Sequence, residues 1–323
     1  MKLCYIDFWP ERTNNTSFSS INDLQEWEIN ADCTLFRLLR NGIGLLHRQT
    51  LVEKFRDLSL EVVYDPEAAD VLITSIFGKT RYLYPGKPKI ILVYENCELD
   101  FSLPNSYYIS SNTDLTHCDQ HFYCPVHVLM WGFGLYQTLS ESKRPALPDI
   151  KKDFCISIIS NPACSYRNEY IKLLTDHKRI DCFGKVHNNS NSDIISNTVW
   201  FDPRLQKIIQ KYQFMITMEN SSQKGYHTEK IVMAMKSGTI PVYWGDPDIG
   251  KIFNPDSFVN VTGLTVEEGV EKVKKIVGDT DSYKHMHNSP FIHADSLLKK
   301  TLAHFTSETN FYTWIRNSFN SAG

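Results

Sequence analysis

Residues 214–245 constrain the fold of this chain more than any other stretch. Phe214-Met215-Ile216-Thr217-Met218 is an apolar run with the length of a buried strand. It passes into a polar turn beginning Glu219-Asn220-Ser221, then Gly225, then Tyr226-His227-Thr228-Glu229-Lys230. A helix of about two to three turns follows, and a second apolar run ends Tyr243-Trp244-Gly245. Strand, helix and strand in that order call for an α/β layout. Acid, base, amide and aromatic hydroxyl gather at one strand–helix junction, where α/β proteins bind nucleotides.

The rest of the chain repeats this grammar. Lys2–Phe8, Glu61–Asp65, Val71–Phe77 and Lys89–Glu95 read as strands, as do Ser106–Ser110 and His121–Met130. Leu35–Asp57 has helical spacing. Residues 138–153 carry two prolines and several charges and read as a linker. The pattern then restarts. Phe154–Ser160, Ile180–Phe183, Gln213–Met218, Thr239–Trp244 and Ser257–Val261 are the expected strands. Arg167–His177, Asp202–Tyr212, Thr228–Lys236 and Thr265–Val277 are the expected helices, and Ala294–Phe319 is helical and rich in aromatics. The expected domains are residues 1–145, 146–305 and a C-terminal helix over 306–323 that packs back toward the first domain.

With 323 residues, 42% hydrophobic, the chain can bury two cores. A net charge of −3 and the lack of a long basic run argue against nucleic acid as a partner. Asp7 and Pro10 interrupt the first apolar run, so it is not a signal peptide, and no run has the length of a membrane span. The eight cysteines form no C-x-x-C pair and read as reduced thiols. The expected location is the cytoplasm, free or peripheral to a membrane.

Several residues suit the binding of an anion. Lys230 lies in the first turn of a helix, where a cation opposes the dipole unless an anion is near. Taken alone, it reads more readily as a solvated surface lysine. Arg167 opens a helix just past a strand end, and alone it reads as a surface partner of Glu169 or Asp176. Glu95 ends the apolar run Ile90–Tyr94, the strand-end position from which a carboxylate reaches a ligand; alone it is as readily a helix cap. Glu98 and Asp100 are its backups.

Together these segments resemble the α1,3/4-fucosyltransferase family, glycosyltransferase family 10 of the bacterial type. Ser160-Asn161 with Arg167-Asn168 resembles one donor motif and Phe214–Gly245 the other. Gly184-Lys185 with Asn188-Asn189 resembles a third segment, and Tyr94-Glu95-Asn96 resembles the segment that carries the base. The resemblance implies a GT-B architecture: α/β, two Rossmann-like domains facing a central cleft. It implies inverting transfer of L-fucose from GDP-fucose to a hydroxyl of an N-acetylglucosamine-containing oligosaccharide, α1,3 or α1,4, as in Lewis-type antigens. By position, Arg167 and Lys230 bind the diphosphate and Tyr226 a phosphate oxygen. Asn220 and Glu229 contact ribose or fucose, with Asn161 and Lys185 beside the nucleotide. Glu229 also stabilises charge on the fucosyl ring, and Glu95 is the general base.

Other signals carry less. Asp246-Pro247-Asp248 resembles a metal motif but reads first as a turn. His117, Cys118 and His121 have zinc-like spacing without an obvious fourth ligand. His285-Met286-His287 reads as surface helix. No cofactor is expected, and a divalent metal is at most stimulatory. The rival readings are a GT-B transferase for another nucleotide sugar and a non-catalytic glycan- or nucleotide-binding protein. A glycosidase would use two carboxylates but has no need of the Arg/Lys pair.

Overall fold

A computed structural model describes residues 2–7, 61–77, 79–141, 144, 153–192, 195, 203–292 and 297–320. The helix expected over Leu35–Asp57 lies outside them. The chain divides into two compact units, one of residues 1–134 with 301–323 and one of residues 135–300.

The first unit holds a six-stranded parallel sheet of β1 (Lys2–Ile6), β2 (Glu61–Val62), β3 (Val71–Ser75), β4 (Lys89–Leu92), β5 (Ser106–Ser110) and β6 (His121–Tyr123), in the order 2-1-3-4-5-6. The central strands are buried along their whole length, the near-continuous apolar pattern of a sheet covered on both faces. The strand expected over His121–Met130 is only half strand. After Cys124-Pro125 the chain turns into helix α1 (Val126–Trp131), with Pro125 as its N-cap. Proline cannot donate to a ladder, and its fixed φ suits a helix entry. The last helix of the chain, Glu308–Asn320, belongs to this unit. Its Phe311 and Trp314 rings pack on Phe122 of β6, and the Trp314 indole donates to the Asp119 carbonyl at 2.9 Å.

The second unit begins with α2 (Leu135–Glu141). Part of the expected linker is thus helical. Arg144, also in that stretch, is buried and donates to the carbonyls of Met286, His287 and Ser257. Burial lowers its guanidinium to about 10. The five-stranded sheet, all parallel, comprises β7 (Asp153–Ile159), β8 (Ile180–Gly184), β9 (Tyr212–Ile216), β10 (Ile240–Tyr243) and β11 (Val259–Asn260), in the order 11-10-9-7-8. Successive β9 side chains point to opposite faces. Phe214 and Ile216 join one core with α3 (Ser165–His177) and α6 (Val266–Gly278). Met215 joins the other with α4 (Pro203–Ile209) and α5 (Glu229–Lys236). Helix α7 (Thr280–Asn288) contradicts the surface reading of His285-Met286-His287, because His287 is buried. The helix lays Tyr283 on Phe214, and His287 lies one turn further along the same face. The remaining helix, α8 (Leu297–Phe305), leads to the terminal helix, α9 (Glu308–Asn320).

Candidate active site

Because every strand of the second sheet is parallel, the segments that leave its carboxyl ends share one edge. Ser160-Asn161 follows β7, Lys185 follows β8, Met218-Glu219-Asn220 follows β9 and Trp244-Gly245-Asp246 follows β10. Cross-bonds tie these segments together. Glu219 donates its amide to the Trp244 carbonyl at 2.8 Å, and the Ser222 hydroxyl donates to the Gly245 carbonyl at 2.6 Å. Two glycines are sterically required. Gly184 has φ +91°, and a Cβ there would collide with the Ile159 carbonyl. A Cβ on Gly245 would lie 2.7 Å from both Glu219 Cγ and the Tyr243 hydroxyl.

Arg167 is not the surface residue its isolated reading suggests. It is 1% exposed. Its guanidinium donates to the Met218 carbonyl at 3.2 Å and the Asn161 carbonyl at 2.5 Å, joining the ends of β9 and β7. Its Nε has no protein partner, and no carboxylate pairs with it among the described residues. Burial depresses its pKa, while Glu219 nearby works against that. Two of five donors are spent. A buried cation without a counter-ion is costly, and an anion would offset the cost.

Lys230 is not a freely solvated lysine either: its side chain is partly buried. Its Nζ donates to Glu219 Oε2 at 2.8 Å and to the Thr228 hydroxyl at 2.7 Å. Burial alone would lower its pKa, but the Glu219 and Glu229 carboxylates outweigh it and hold the ammonium charged. Glu219 is the buried charged residue at this edge that sequence reasoning did not single out. It is fully buried, and its carboxylate also accepts the Thr228 amide at 2.7 Å. The one signal was strand alternation: continued from Met215 through Thr217, it puts Glu219 on the α5 face.

The other expected residues are distributed as follows. Asn161 caps its own turn by accepting the Ala163 amide at 2.9 Å. Lys185 is exposed, Asn220 and Glu229 are half-buried, and Tyr226 is buried. All lie in the second unit. Glu95 lies in the first, half-buried just beyond β4, and it raises the neighbouring Cys97 thiol, as burial does more strongly. Asp100, a backup, caps a turn by accepting from the Ser102 amide and hydroxyl.

Asp246-Pro247-Asp248 is a turn. Asp246 is fully buried; one oxygen accepts the Asp248 amide at 2.8 Å, the other meets His227 Nδ1 at 2.9 Å. Burial pushes its pKa up, but His227 and backbone donors hold it below the ordinary range. His121 is likewise engaged, by the Ser110 hydroxyl and the Leu115 carbonyl. Among the described residues no group of three or more His, Cys, Asp or Glu is placed to hold a metal.

The sequence comparisons then decide the family. The family model for glycosyltransferase family 10 (fucosyltransferase), C-terminal part, matches residues 148–312, just over half of the chain. The chain belongs to glycosyltransferase family 10. An α-(1,3)-fucosyltransferase of Helicobacter pylori is 30% identical over 164 residues, 50% of this chain and 30% of that protein. An α-(1,4)-fucosyltransferase of Arabidopsis thaliana is 24% identical over 154 residues, 43% of this chain and 38% of that protein. The chain thus spans about a third of the length of these curated relatives. A crystal structure of an α1,3-fucosyltransferase with GDP superposes with a TM-score of 0.69 at 20% identity, covering 98% of this chain and 90% of that one. This likeness gives the family 10 chain its fold class, α/β of the GT-B type with two Rossmann-like units. No helix among its described residues is long and apolar enough to cross a membrane.

Proposed function

We propose that this family 10 protein transfers L-fucose from GDP-fucose to a hydroxyl of an N-acetylglucosamine-containing glycan, forming an α1,3 or α1,4 linkage with inversion. The observation that carries the reading is the pair of cations at the carboxyl edge of the second sheet. Arg167 is buried without a carboxylate partner, and Lys230 stands at the first turn of α5. Breaking the sugar C1–O bond leaves a diphosphate whose growing charge needs fixed positive partners. Guanidinium, ammonium and helix N-terminal amides supply them without reorganisation.

In this reaction Glu95 accepts the proton of the acceptor hydroxyl, and the oxygen attacks C1 of the β-linked donor. The C1–O bond to the diphosphate breaks, its electron pair leaves with GDP, and the new linkage is α. Glu229 offsets positive charge on the ring. The relatives, an α1,3- and an α1,4-fucosyltransferase, support fucose as the transferred sugar and leave both linkages open for this chain.

Transfer from GDP-fucose to a panel of N-acetylglucosamine-containing acceptors tests the reading, with GDP, UDP and GDP-mannose as competitors. GDP is expected to compete far better than UDP. Glu95→Ala is expected to lower turnover by roughly 10²–10⁴ while GDP affinity stays nearly intact. Near-wild-type turnover in that variant would remove Glu95 from the mechanism.

A further inference from the structure

We propose that Glu219 is a positioning residue of the donor site, setting Lys230 and the start of α5 for a diphosphate and acting through them. The proposal rests on the diphosphate reading above. A fully buried carboxylate is expensive to desolvate, so its partners explain why it is there. Glu219 has three of them, all from the segment Thr228–Lys230. Oε1 takes the Thr228 amide at 2.7 Å. Oε2 takes the Thr228 hydroxyl at 2.9 Å and Lys230 Nζ at 2.8 Å.

These bonds have two consequences. Thr228 is the N-cap of α5, yet its side chain makes no cap bond. A threonine there ordinarily spends its oxygen on a first-turn amide. Here the hydroxyl is diverted to Glu219 and Lys230, so the first-turn amides receive no side-chain acceptor. The second consequence concerns Lys230. An ammonium has three N–H donors. Glu219 and Thr228 take two, which fixes the direction of the third and removes most of the lysine's rotamer freedom before a ligand arrives. The tight fit is enforced from the other side by Gly245, where a Cβ would strike Glu219 Cγ.

The test measures binding of GDP and of guanosine to wild type, Glu219→Gln, Lys230→Met, the double variant and Thr228→Val, with thermal unfolding alongside. The preference for GDP over guanosine reports the phosphate contacts alone. Glu219→Gln is expected to lower that preference about 10-fold, the worth of one charge-assisted contact, with guanosine affinity little changed. In the Lys230→Met background the same change is expected to cost no further preference and to raise the melting temperature, because it removes a buried carboxylate left without its cation. Thr228→Val, which keeps the fold's charges and deletes only the linking hydroxyl, is expected to lower the preference several-fold and carries the test if Glu219→Gln does not fold. An unchanged preference in Glu219→Gln or, failing that, in Thr228→Val overturns the proposal alone, as does an equal loss in both Lys230 backgrounds. A wild type that binds GDP no better than guanosine overturns the diphosphate reading itself.

Discussion

Two kinds of helix start coexist in the second unit. Helices α6 and α7 begin in closed caps. Thr265 and Glu268 form a reciprocal capping box, with side-chain bonds of 3.2 and 2.9 Å, and Asp279 accepts the amides of Asp281 and Ser282. Helices α3 and α5 begin without a side-chain cap, at Cys164 and Thr228. A missing cap forfeits about 1 kcal/mol. Within the second unit the caps are missing at the two helix starts that resemble the family's donor motifs, and at both a cation sits in the first turn. Capped ends are finished by the protein itself. The open ends keep amide donors and charge available for an anion, the role the proposed function gives them toward a leaving diphosphate.

The comparison can be broken or sharpened by substitution. The largest effect is expected at the open ends. Arg167→Ala and Lys230→Ala should each weaken GDP roughly 10- to 100-fold and guanosine far less, because only the phosphates feel those charges. Calorimetric titration of both ligands checks this, and equal losses would show that the side chains serve the fold instead. At a closed end the pattern should invert. Thr265→Ala is expected to cost stability, about 1 kcal/mol by denaturant unfolding, with GDP affinity unchanged. A loss of GDP affinity there would erase the distinction between the two classes. The smallest effect is expected from chelation. If cationic side chains and helix amides neutralise the leaving group, as proposed, transfer should persist in excess EDTA, although Mn²⁺ or Mg²⁺ can ease release of GDP. Complete loss in EDTA, restored by Mn²⁺ in wild type but not in Asp246→Ala, would contradict that account.

The strand–turn–helix–strand unit over 214–245 was legible because length, apolar run and turn chemistry agree there. The observed β9, α5 and β10 lie within two residues of the expected bounds. Val126–Trp131 was misread because a short apolar run has no period long enough to separate strand from helix. His287 was misread because nothing in a His-Met-His triplet says which face of α7 is covered. Glu219 was missed for a different reason. A carboxylate in a polar turn looks solvated, and only the return of the chain at Thr228–Lys230, nine to eleven residues later, encloses it. Arg167 and Lys230 were singled out through the pattern of their motif rather than from local chemistry, which favoured surface roles for both.

The most direct test of the open-end account follows the backbone amides themselves. GDP is titrated into ¹⁵N-labelled protein and the amide resonances are recorded. The account predicts the largest shifts at the first turns of α3 and α5, Ser165–Arg167 and Glu229–Ile231. The amides of Glu268, Asp281 and Ser282 at the capped starts of α6 and α7 should stay still. Guanosine should leave both sets nearly unmoved. Shifts of equal size at capped and uncapped starts, or none at α3 and α5, would contradict it.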